Sequence, residues 1–112
     1  METFYKEEPP VRLYVVQMFY PSLKESSQLV AEAKNAVAAL SKNDFILMGF
    51  GDYTSAIAFS SDEPEANMSA QFGRIRGEKF SLVAFEAAWF LGGNMSKPVS
   101  DWLDRHKPSP FK

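Results

Sequence analysis

The chain of 112 residues has no cysteine and only one histidine. The first absence excludes a disulfide framework, thiolate zinc sites and any cysteine nucleophile, and it suits a reducing compartment, so the cytoplasm is the expected location. The second leaves His106 as the sole imidazole, whereas a metal centre needs several convergent His, Asp or Glu ligands. No serine stands in an elbow such as G-x-S-x-G, so a nucleophilic triad is not expected. Long apolar runs are missing too. The longest, Phe45 to Phe50, falls far short of the ~20 residues of a membrane span, and Met1 to Pro10 carries Glu2, Lys6, Glu7 and Glu8 in place of a secretory apolar region. Twelve basic and fourteen acidic residues are spread along the chain, giving a net charge of −2 and no global field to gather polyanions. Together these absences predict a non-enzymatic protein without cofactor, metal or membrane segment.

What is present points to one folded domain. With 46% hydrophobic and 14% aromatic residues the chain is far too apolar for a disordered segment, and a chain of this length buries roughly 65% of its unfolded surface. Residues 1–10, with Pro9-Pro10 at their end, read as a flexible lead; residues 11–106 read as the domain; residues 107–112 read as a tail.

Val11 to Tyr20 is rich in β-branched and aromatic residues and stops at Pro21, which predicts a first strand. Leu29, Val30, Ala33, Val37 and Leu40 then recur at helical spacing behind Ser22 or Ser26 as cap, predicting an amphipathic helix of about four turns. Phe45 to Phe50 and Tyr53 to Ser60 flank Gly51-Asp52 and read as a hairpin. Ser61, Asp62, Glu63 and Pro64 open a short helix carrying Met68, Phe72 and Ile75 on one stripe, with Gly77 as its stop. Phe80 to Phe90 reads as a fourth strand running into an irregular segment broken at Gly92-Gly93-Asn94. Ser96 and Pro98 then open a last helix with Val99, Trp102, Leu103 and His106. The order β-α-β-β-α-β predicts an α+β ferredoxin-like sandwich, a four-stranded antiparallel sheet with two helices on one face plus a C-terminal helix.

A sheet with one wet face should alternate apolar with polar residues, yet the first strand offers Leu13, Val15 and Phe19 on one side and Tyr14, Val16 and Met18 on the other. Phe45 to Phe50 is apolar on both sides as well. The second face must therefore be covered, either by the C-terminal helix or by another subunit in a two-fold dimer. A homodimer is the expectation, with Tyr14, Val16, Met18, Trp89, Phe90 and Trp102 as the dimer or partner surface, aromatic anchors being frequent at interfaces.

The succession TSAIAFSS, SSDEPEANMSAQFGRI, FSLVAFE, AAW and VSDWLDRH resembles small bacterial SinR-like proteins, ferredoxin-like relatives of the compact CRISPR-associated adaptation nuclease. The resemblance covers about Tyr53 to His106 and implies the fold and a dimeric habit. In the nuclease relatives a Tyr-Asp pair ends the first strand and its aspartate would hold a metal; Met18-Phe19-Tyr20 stands here instead, which removes that site.

Several local features have a structural and a functional reading. Asp44 and Asp52 flank a strand, where aspartate is an ordinary turn former, and His106 suits the negative end of a helix. Gly92-Gly93-Asn94 lacks the spacing of a phosphate-binding loop. Leu13-Tyr14-Val15 loosely imitates an RNA-recognition strand, but Thr54, Ser55 and Ala56 stand where its basic and aromatic residues would be. Arg74, Arg76 and Lys79 form a local basic cluster interrupted by Glu78, the candidate residues for the alternative of a nucleic-acid-binding protein or vestigial nuclease. The favoured reading is a non-catalytic interaction or scaffold domain.

Overall fold

A computed structural model of the chain describes residues 11–77, 79–87 and 96–106. The elements are β1 (Arg12–Phe19), α1 (Leu23–Ser41), β2 (Phe45–Phe50), β3 (Thr54–Ser61), α2 (Glu65–Gly73), β4 (Ser81–Glu86) and α3 (Lys97–His106). The strands form one sheet in the order β2-β3-β1-β4, with every neighbouring pair antiparallel. This is the α+β ferredoxin-like sandwich expected from the element order.

Pairing places Val16 opposite Ile57 and Ala84, so residues directly across from one another share a face. The even-numbered set of β1, namely Tyr14, Val16 and Met18, turns toward α1 and α2. It packs with Val30, Ala33, Val37 and Leu40 of α1, Ile57 and Phe59 of β3, and Met68 and Phe72 of α2. Tyr14 stacks on Phe59 at 5.4 Å between ring centroids, and Phe59 meets Phe72 at 6.0 Å. Val16, Met18 and Phe59 are completely inaccessible to solvent. The odd-numbered set faces the other way and builds a second, smaller cluster of Leu13, Ala58, Val99, Trp102 and Leu103, with Ile46 and Met48 packed against it.

Three element boundaries differ from the sequence reading. Helix α1 spans 19 residues rather than about four turns, and ends where Lys42 and Asn43 both adopt left-handed backbone, with the Asn43 amide donating to the Ala38 carbonyl. Ser61 is the last residue of β3 rather than the first of a helix. Its hydroxyl both donates to the Leu40 carbonyl and accepts from the Glu63 amide. Helix α2 stops at Gly73, before Ile75 and Gly77, because the following amides turn inward early, Ile75 donating to Phe72; Ile75 still reaches the core. Gly77 lies so close to α1 that a Cβ there would collide with the Leu29 side chain. The expectations for residues 1–10, for residues 107–112 and for Gly92-Gly93-Asn94 fall outside the described residues.

Candidate functional site

Helix α3 crosses only part of the second sheet face. It lies over β2, β3 and the start of β1, where Trp102 and Leu103 meet Leu13 and Ala58. Toward β4 the same face is open. Phe19 is 49% exposed, Val83 50% and Phe85 48%. The registers Val15 to Phe85 and Gln17 to Val83 set these side chains in one strip, continued across β3 by Ala56 and Thr54. Val15, Gln17, Phe19, Thr54, Ala56, Ser81, Val83 and Phe85 include no charged residue, although 23% of the chain is charged. Loss of charge is what distinguishes the centre of a protein interface from ordinary surface.

At the other end of this face α3 is held by a polar cluster centred on Asp44. The Asp44 carboxylate accepts from the Ser60 hydroxyl at 2.6 Å, from Trp102 Nε1 at 3.1 Å and from His106 Nε2 at 2.8 Å. His106 Nδ1 lies 2.7 Å from the Trp102 carbonyl, and the two rings stack at 3.8 Å and 12°. Both imidazole nitrogens thus face acceptors, so the doubly protonated ring satisfies both bonds and a neutral ring only one. Burial alone would raise the Asp44 pKa, but hydrogen bonds from Ser60 and His106, the His106 charge and the Trp102 indole outweigh it and hold the carboxyl below its ordinary value.

Ser60 and His106 contact the same oxygen, Asp44 Oδ2, which places the carboxylate between hydroxyl and imidazole. A hydrolytic arrangement needs the imidazole next to the hydroxyl, where it can take its proton. Among the described residues, no three His, Asp or Glu side chains are grouped to hold a metal ion.

The residues singled out from sequence are scattered by the structure. Tyr14, Val16 and Met18, expected on the dimer surface, are instead buried beneath α1 and α2, so the opposite set of β1 supplies the open strip. Trp102 is likewise corrected: it is buried under its own helix and bonded to Asp44. Trp89 and Phe90 lie outside the described residues. Arg74 and Arg76 are exposed at the end of α2, Arg76 Nε donating to the Gly73 carbonyl at 2.9 Å, and Lys79 is exposed with left-handed backbone just before β4. At the end of β1, Tyr20 donates its hydroxyl to the Gly51 carbonyl at 2.9 Å and stacks near Phe80.

His106 and Asp44 acquire a role that sequence reasoning missed. Rather than a helix-end cation and a turn former, they are two members of one hydrogen-bonded group. The only sequence signal was Trp102 and His106 four apart on one helix face; Asp44, which both of them meet, is 58 and 62 positions away.

No protein-family model matches the chain, and no curated protein matches it. Among solved structures it is similar to a candidate antibiotic biosynthesis monooxygenase from Caulobacter crescentus, with 12% identity and a TM-score of 0.33 over 77% of this chain and 95% of that one. Among the described residues no helix is long and apolar enough to cross a membrane.

Proposed function

We propose that the protein is a non-catalytic interaction domain that pairs with a second copy of itself through the open strip of the second sheet face. The observation that carries this reading is the exposure of Phe19, Val83 and Phe85 in one uncharged band. A two-fold axis through such a band makes its contacts reciprocal, each apolar side chain meeting the same band of the partner, and antiparallel sheets stack face to face at about 10 Å. The SinR-like resemblance, with its dimeric habit, agrees with it.

Sedimentation equilibrium tests the proposal. The expected mass is twice 12.6 kDa, returning to the monomer value in a Phe19→Ser/Phe85→Ser variant that keeps its circular dichroism spectrum. A monomer at every concentration up to the millimolar range overturns it. A second reading, nucleic-acid binding, draws on the exposure of Arg74, Arg76 and Lys79. Retention on nucleic acid at low salt, lost in Arg74→Ala/Arg76→Ala, is its expected signature; no retention at low salt excludes it.

A further inference from the structure

A groove of about 380 Å³ runs between α2 and β4 on the helix-covered side of the sheet, floored by Tyr14 and Phe59. Its β4 wall is made by five consecutive residues, Leu82 to Glu86. Successive side chains of a strand point to opposite faces, so an unbroken run of five means that the groove follows the backbone edge of the strand. β4 is the outermost strand and pairs with β1 alone. Ala87 donates its amide to the Leu13 carbonyl at 2.8 Å. Antiparallel ladders alternate, so Phe85 and Val83 also turn their backbone groups toward β1, while Leu82, Ala84 and Glu86 turn theirs out toward the groove.

Three further features give the groove a direction. At one end stand Glu65, in the first turn of α2, and Glu86, which shares a half-exposed ion pair with Arg12 at 3.4 Å. Past the opposite end, where α2 stops at Gly73 and β4 begins, the chain carries the exposed Arg74, Arg76 and Lys79, outside the groove lining but with Arg76 tied to the Gly73 carbonyl. In the floor Tyr14 is only 9% exposed, and its hydroxyl has no hydrogen-bond partner among the described residues. Every fully buried polar side-chain atom described is satisfied, so this hydroxyl opens into the groove. Burial first, then the charges of Glu86 and Glu65 against that of Arg12, raise its pKa, which keeps it a neutral donor.

From this geometry we infer that the edge of β4 binds an extended peptide segment of another protein as a fifth, antiparallel strand, with a basic residue at its amino end and an acidic residue at its carboxyl end. The outward groups of Leu82, Ala84 and Glu86 supply the ladder, alternate apolar side chains enter between Met68, Phe72 and Leu82, and Glu65 and Glu86 at one end, with the basic residues beyond the other, select the charge order. The open strip lies on the other face of the sheet, although Val83 and Phe85 border both it and the groove at the edge of β4.

The probe is a blocked hexapeptide with lysine first, glutamate last and valine alternating with threonine between, read by fluorescence anisotropy on the full chain. Saturable binding is expected, about five-fold weaker for the peptide with its two charges exchanged, since exposed ion pairs are individually modest. Ala84→Pro removes an outward amide while sparing the β1 ladder, and proline is tolerated on that side of an edge strand; binding is expected to fall at least ten-fold. Glu65→Lys, a change on exposed helix surface, reverses the charge preference and serves if the proline variant does not fold. Absence of saturable binding at millimolar peptide, equal binding of the two charge orders, or unaltered binding by a folded Ala84→Pro variant overturns the proposal. So does a peptide-free mass increase abolished by Ala84→Pro, which would make a second copy of β4 the occupant. Phe19→Ser alone, at a position of the open strip that does not line the groove, is expected to bind the peptide as the parent does, separating this outcome from that of the sheet-face dimer.

Discussion

The two faces of the sheet are built from the same strands and differ in how completely they are covered. Beneath α1 and α2 the side chains of Val16 and Met18 have no solvent contact, whereas Phe19, next along β1, is half exposed. On the first face two helices supply apolar side chains from Val30 to Phe72; on the second a single ten-residue helix supplies Val99, Trp102 and Leu103. Such a difference separates side chains that hold the fold from those free to meet a partner. It also sets fully buried and half-exposed apolar side chains beside one another on one strand.

The comparison is broken most severely by emptying the first face. Met18→Ala leaves a cavity in the larger core and is expected to cost about 2–5 kcal/mol, read as a lower denaturant midpoint with an unchanged slope. Phe19→Ala, one position along, is expected to change the stability of the isolated chain by no more than about 0.5 kcal/mol, the range for exposed surface. Equal losses at the two positions would remove the distinction between the faces.

A smaller effect is expected at Trp102, whose indole joins the second cluster to Asp44. Trp102→Ala should release α3 ahead of the sheet, so that amide exchange rises over 97–106 and around Leu13 and Ala58 while the amides of Val16 and Ile57 stay protected. Uniform loss of protection would mean that both clusters open together.

The smallest effect concerns pH. The folded Asp44 carboxyl is held below its ordinary value, so its contribution is present above the unfolded value, about 4, and fades as pH falls through the folded one. Asp44→Asn is therefore expected to differ most from the parent near neutrality and to converge with it in acid, with a flatter stability profile below pH 4. A constant difference across that range would show that the carboxylate charge is irrelevant to holding α3.

Much of the architecture was legible in the residues themselves. β-branched and aromatic runs closed by Pro21 and Gly51 marked β1 to β3, and the stripes Leu29 to Leu40 and Met68 to Phe72 marked the helices, because these patterns report local propensity and one-sided burial. The early stop of α2 was not legible, since Ile75 continues the apolar stripe beyond the last helical turn. Nor was the Asp44 cluster, whose members come from the α1–β2 turn, β3 and α3; each alone reads as an ordinary turn, strand or helix-end residue.

The sequence by itself determined that β1 would be apolar on both sides and that its second face would need cover. Which set faced which way was decided only by the tertiary structure. Leu13, Val15 and Phe19 are as apolar as Tyr14, Val16 and Met18, and Gln17 in the odd set is the one local hint of which side lies open. A β-α-β crossover of fixed hand puts α1 on one side of the sheet, and that global constraint sends the even set into the core and leaves Phe19 at the surface.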